Sequence, residues 1–146
     1  MKILSVLFVL LSSFAFPQTS EEQLIKASVN SLFDGMKTSD SSKINNAFSK
    51  NAVLQTITTN GDVKSESISD FALNISKAKK GSLDERITFS NILIDGNLAS
   101  VWTPYEFYYQ GKFLHCGVNS FQLVKVNNEW KIQYIIDTRR KVNCKK

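Results

Sequence analysis

Two hydrophobic rhythms divide this chain. From Ser20 to Met36, apolar positions recur at helical spacing through Leu24, Ile25, Leu32, Phe33 and Met36, with Ser28 between them, and Ser20 with Gln23 forms a capping box. Asp40 can cap a second, short helix carrying Ile44, Ala47 and Phe48. AVLQTITT then alternates as a strand, and Asn60-Gly61 signals a turn into a brief return strand around Val63. Ser67 and Asp70 open a third helix with Phe71, Ala72, Ile75 and Ala78 on one face, ended by Gly81.

After Gly81 the period changes from helix to strand. DERITFSNILI, LASVWTPYEFYY, KFLHCGVNSFQLVKV and EWKIQYIIDTRR follow, joined at Asp95-Gly96, Gln110-Gly111 and Asn127-Asn128, each readable as a two-residue hairpin loop. Helices first and an antiparallel meander last predict an α+β fold. Two-residue loops also predict registers, and directly opposed side chains share a face. One face then collects Ile87, Phe89, Leu93, Trp102, Phe113, Phe121, Leu123, Trp130, Ile132, Tyr134 and Ile136. Its apolar character makes it the face that the helices cover. Asp137 falls on the other face, as a surface ion-pair partner.

The one histidine lies on that apolar face. In the expected register Glu106 stands opposite His115, Arg140 flanks it on the last strand, and Asn119 sits deeper opposite Trp102. A glutamate beside an imidazole orients the ring and raises its pKa, which suits acid–base work near neutral pH. The same pair also serves as a satisfied structural contact, so His115 and Glu106 are candidates for catalysis and not an assignment. Trp102, Glu106, His115, Asn119, Phe121 and Tyr134 are the candidate ligand-binding set.

The ends of the chain change the charge picture. Met1-Lys2 followed by ILSVLFVLLSSFAF reads as a signal peptide over residues 1–19, cleaved between 15 and 20, with one domain over 20–146. The apolar run is too short for comfortable spanning, so the mature chain is expected to be exported, periplasmic or secreted, without stable membrane insertion. The formal net charge of +5 belongs mostly to the end. Arg139, Arg140, Lys141, Lys145 and Lys146 form a basic tail, and the body between leader and tail holds twelve basic against thirteen acidic residues. A nucleic-acid surface needs a basic face, and this body has none. Two cysteines in an exported chain, Cys116 and Cys144, invite a disulfide, provided that the tail folds back over the sheet. One histidine and two cysteines without CxxC or HxxxH spacing make no recognisable metal site, and no cofactor is implied. His115 and Cys116, adjacent on a strand, point to opposite faces and cannot form a nucleophilic dyad.

The order of elements, GNLASVWTPYEFYYQGKF, and the ending FQLVKVNNEWKIQYI resemble the nuclear transport factor 2-like superfamily, closest to its bacterial exported members of lumazine-binding-like or uncharacterised type. The resemblance covers the whole mature chain. It implies a cone in which a strongly bent antiparallel sheet wraps the N-terminal helices, a pocket at the open end, and a homodimer, often through the sheet's outer face. The superfamily contains isomerases, cyclases, dehydratases and hydrolases beside binders, so it implies fold better than function. Three functions are open: an exported binder of a small apolar or amphipathic molecule, an isomerase- or dehydratase-type enzyme using His115 oriented by Glu106, and a non-catalytic interaction module.

Overall fold

The structure, a computed structural model, describes residues 20–144. The expected signal peptide and the last two lysines lie outside the described residues. Helix α1 (Glu21–Thr38) starts at the Ser20–Gln23 capping box, both halves of which are formed. It buries Ile25, Val29, Leu32, Phe33 and Met36, one stripe of the helix, while Leu24 is left on the surface. Helix α2 (Ser41–Ala47) is capped by Asp40, which accepts from the Lys43 amide at 2.9 Å. Helix α3 (Ile68–Ser76) is capped by Ser67 and ends before Gly81, which instead turns the chain into the next strand.

Seven strands form one curved, unclosed sheet: β1 (Phe48–Ile57), β2 (Val63–Glu66), β3 (Leu83–Ile87), β4 (Asn91–Asp95), β5 (Leu98–Tyr109), β6 (Lys112–Val126) and β7 (Glu129–Thr138). The order is β2-β1-β7-β6-β5-β3, with β4 also on β5. All pairings are antiparallel except β1 with β7, which run parallel because the chain crosses the whole sheet between them. Helix α1 lies in the concavity. Its Phe33 meets Phe121 edge-on at 6.1 Å, its Ser28 hydroxyl donates to the Trp130 carbonyl at 2.8 Å, and Glu21 accepts from the Trp130 indole at 2.7 Å.

The turns behave as their residues dictate, but the strands between them do not stay in simple register. Gln110-Gly111 and Asn127-Asn128 are two-residue turns with positive φ at both positions. The first meander loop is Gly96-Asn97, one residue later than expected, and the β1–β2 loop spans Thr58 to Asp62. Three irregularities then intervene. Thr88, Phe89 and Ser90 separate β3 from β4 across two residues of β5; Leu114 is an extra residue in β6; and Gln133 is an extra residue in β7. Each extra residue exchanges the two faces beyond it, because side chains alternate with period two. They also bend the sheet around α1.

The face assignment is corrected accordingly. On β6 the odd residues from His115 to Leu123 face the helices, as expected. On β5 the odd residues Ala99, Val101, Thr103, Tyr105 and Phe107 face inward, not Trp102 and Glu106. On β7, Trp130 and Ile132 face inward, but past Gln133 it is Ile135 and Asp137, not Tyr134 and Ile136. Leu93, expected inside, is 68% exposed, and its neighbour Ile92 packs on the core.

Candidate functional site

The open end of the cone holds a cavity of about 290 Å³. Helix α1 contributes Leu32, Phe33 and Met36 to its wall, α3 contributes Phe71 and Ile75, and Leu54 comes from β1. The sheet supplies a different floor: Glu85 from β3, Tyr105 and Phe107 from β5, His115 and Asn119 from β6, Ile135 and Asp137 from β7, and Arg139 just past the end of β7. At the rim, Asn74 donates to Glu66 at 3.3 Å. An apolar helix wall therefore faces a floor with six polar or ionisable residues among its eight.

Those polar groups fall into two hydrogen-bonded sets. In the first, the Asn119 amide donates to Glu85 Oε1 at 2.9 Å and approaches Thr103 Oγ1 at 3.4 Å. In the second, the Tyr105 hydroxyl lies 2.8 Å from the Thr138 carbonyl, 3.3 Å from Asp137 Oδ2 and 3.2 Å from His115 Nδ1. Arg139 Nε holds Asp137 Oδ2 at 2.9 Å, and Thr56 donates to the other Asp137 oxygen. A phenol has one proton to give. With that proton on the close Thr138 carbonyl, neutral His115 donates from Nδ1 to the phenol oxygen and carries its lone pair on Nε2. The imidazole is also stacked on Phe107, with centroids 5.1 Å apart.

Burial sets the protonation states. Glu85 is pushed up to about 7, first by burial and then by the Asp137 charge, against the pull of the Asn119 hydrogen bond and of Arg139. Tyr105 is raised by burial and by the carboxylates of Asp137 and Glu85, which keeps it a neutral phenol. His115 is lowered, by burial first and then by the Arg139 guanidinium, with Asp137 opposing. The expected upward shift from Glu106 does not arise, because Glu106 is on the other face.

The six residues expected to bind ligand are thus divided. His115 and Asn119 line the cavity floor. Phe121 is inward but fully buried beneath it, packed on Phe33. Trp102, Glu106 and Tyr134 lie on the convex face: Trp102 is 47% exposed, Glu106 accepts from the Tyr108 hydroxyl at 2.9 Å, and the Tyr134 hydroxyl donates to Gln55 at 2.7 Å. The extra residue Leu114 sets Phe107, not Glu106, opposite His115, and Glu106 opposite Cys116. Arg140 bridges Cys116 rather than flanking His115.

Four polar floor residues went unrecognised in the sequence. Glu85 stands between Leu83 and Ile87 on one strand face, an acid interrupting an apolar alternation. Tyr105 belongs to the run Ala99, Val101, Thr103, Tyr105, Phe107, a cleaner inward set than Ser100, Trp102, Pro104 and Glu106. Those two signals were present. Asp137 and Arg139 had none, since only the Gln133 bulge turns them inward.

On the convex side, Cys116 and Cys144 are joined as a disulfide, with Cα atoms 5.8 Å apart, so the tail does fold back over the sheet. On the concave side, Gly117 leaves the room that Tyr105 needs: an added Cβ would lie 1.8 Å from the Thr138 carbonyl oxygen and 2.8 Å from the Tyr105 ring. Only hydrogen at this position lets Tyr105 reach across β6 to β7. Among the described residues no group of three or more His, Cys, Asp or Glu is placed to hold a metal, and no helix is long and apolar enough to cross a membrane.

A curved sheet wrapped on a long capped helix, with a mixed apolar and polar pocket at its open end, has clear counterparts. Residues 20–134 match the family described as "Putative lumazine-binding". The chain belongs to that family. No curated protein matches it. Among solved structures it is similar to an NTF2-like protein of unknown function from Shewanella baltica OS155, with 20% identity and a TM-score of 0.66 over 84% of this chain and 98% of that one. An NTF2-like protein of unknown function from Silicibacter pomeroyi DSS-3 gives 17% identity and 0.67 over 84% and 100%. A domain of unknown function with a cystatin-like fold from Nostoc punctiforme PCC 73102 gives 16% and 0.67 over 86% and 81%. These likenesses show that the protein has the NTF2-like fold, an α+β cone.

Proposed function

We propose that the mature domain is exported and binds a small, flat, largely apolar molecule in the cavity between α1 and the sheet. The observation that carries this reading is the cavity itself: helix side chains on one wall, and on the floor an Asn119–Glu85 pair held at 2.9 Å with a carboxyl titrating near 7. Binding sites of this kind combine apolar area with a few placed polar groups that fix orientation. The family's description supports a flat heterocycle as the first ligand to try. Lumazine offers ring N–H donors and carbonyl acceptors along one edge, and a carboxyl beside a carboxamide is complementary to such an edge.

The test is calorimetric titration of the mature chain with lumazine, alongside Leu54→Trp, which fills the cavity from β1. Saturable binding lost in that variant supports the reading, and binding unchanged by it places the ligand elsewhere. A second reading, proton transfer on the bound molecule, is favoured by Glu85 alone, since a carboxyl poised near 7 is suited to act as a base. Deuterium exchange into a bound carbon acid that stops in Glu85→Gln separates enzyme from binder.

The convex face supports pairing of two copies. Leu93 at 68% exposure and Trp102 at 47% lie on that face, an apolar patch on a sheet surface that no helix covers. Light scattering on the mature chain and on Trp102→Glu tests it: a dimer converted to monomer is the expected result, and a monomeric wild type ends the proposal.

A further inference from the structure

We infer that the cavity selects organic cations: a flat apolar body bearing an amidinium, guanidinium or ammonium group that docks on Glu85. This deepens the binding reading above and rests on it. Glu85 Oε1 is occupied by the Asn119 amide, and Glu85 Oε2 has no hydrogen-bond partner among the described residues. That oxygen is not sealed from solvent, so it meets water in the free protein and is open to a donor from a ligand. The protein does not supply that donor. Arg139 is the one basic side chain lining the cavity besides His115, and its Nε is engaged by Asp137 at 2.9 Å.

The rest of the lining points the same way. Asn119 spends its amide hydrogens on Glu85 and Thr103, which leaves its carbonyl oxygen as an acceptor, and His115 in the tautomer argued above presents Nε2 as another. An acceptor-rich floor suits a donor-rich ligand. Three carboxylates, Glu85, Asp137 and Glu66, line the cavity against one guanidinium, so an anion meets net repulsion and loses its hydration without replacement. Phe33, Phe71 and Phe107 supply ring surfaces that attract cations further.

Charge on Glu85 makes this selectivity depend on pH. The groups facing it are Asn119 and His115 from β6, Tyr105 from β5, Asp137 from β7 and Arg139 just past it, and Glu66 with Asn74 at the rim; α1 presents only apolar side chains there. Tyr105 stays neutral and His115 is lowered, so between pH 6 and 8 the main change on the floor is ionisation of Glu85. From about one-tenth ionised to about nine-tenths, a ligand that needs the carboxylate gains about tenfold in affinity.

Three probes of nearly one shape decide it: benzamidine, cationic throughout this range, neutral benzamide, and anionic benzoate, each titrated calorimetrically into the mature chain at pH 6 and pH 8. The expected order at pH 8 is benzamidine, then benzamide, then benzoate, with only benzamidine tightening about tenfold from pH 6. Glu85→Gln should abolish both the preference and the pH dependence while retaining benzamide. Benzamide or benzoate binding as tightly as benzamidine, or a preference surviving in Glu85→Gln, overturns the inference and leaves the cavity reading standing. Failure of all three probes and of lumazine to bind the wild type removes the cavity reading, and the inference with it.

Discussion

Glu85→Gln should make this protein more stable above neutral pH, by an amount set by the carboxyl's displacement. The folded state holds the Glu85 proton up to about pH 7, against an ordinary value of 4.5. Between those values the folded chain binds more protons than the unfolded chain, so this group's contribution to stability falls as pH rises. Below about 4.5 the penalty is absent, and above about 7 it is complete. At about 1.4 kcal/mol for each pH unit, the penalty reaches about 3 kcal/mol. For a domain of this size that corresponds to roughly 10 °C in melting temperature. Glutamine has nearly the same volume, keeps an oxygen for the Asn119 amide and does not titrate. Urea unfolding followed by circular dichroism at pH 5, 6, 7 and 8, on both proteins, gives the difference directly. Other carboxylates titrate in both chains and largely cancel. The variant's advantage should grow by about 2.5 kcal/mol over that range, since part of the penalty is already present at pH 5. A difference that stays flat, or a wild type that gains on the variant as pH rises, refutes the burial argument for Glu85. A group retained at such a penalty fits a site where a ligand completes its pairing.

Other expectations follow from the same geometry. An NMR titration of the single imidazole should give a His115 pKa below 6.5, because burial and Arg139 favour the neutral ring; a value above 6.5 would restore a carboxylate partner that the register denies. Its sign is opposite to that of Glu85: the lowered pKa contributes instability that appears as pH falls below the unfolded value. Reducing the Cys116–Cys144 disulfide opens a loop with a sequence separation of 28 and should lower stability by about 3.5 kcal/mol on the chain-entropy account, read by urea unfolding with and without reductant. A loss below about 1 kcal/mol would mean that the tail is held by its other contacts. Gly117→Ala sets a methyl against the Thr138 carbonyl and the Tyr105 ring, so it should destabilise by roughly 3 kcal/mol or more and weaken cavity binding. Wild-type melting and binding in this variant would show that β6 and β7 separate there at little cost.

The elements and their signals were local and therefore legible. Helix starts at Ser20, Asp40 and Ser67 each need only a side-chain oxygen a few residues from the amide it accepts from, and the Gln110-Gly111 and Asn127-Asn128 turns need only residues that tolerate positive φ. The change of period after Gly81 separated helices from sheet, and the even pair of cysteines allowed the bridge that the structure contains.

The site was legible only along β6, where the odd positions from His115 to Phe121 keep one face. Everything on β5 and late β7 depended on whether an extra residue sits at Leu114, at Gln133 or between Ile87 and Asn91. A bulge leaves composition and periodicity almost untouched while exchanging the faces beyond it. It is selected by the curvature needed to wrap the sheet on α1, which is a property of the assembled layers. So the sequence by itself determined the order of helices and strands, most of the turns between them, and the fold they make. Tertiary structure alone decided that Glu106 and Trp102 face outward, while Glu85, Tyr105, Asp137 and Arg139 meet His115 and Asn119 on one floor.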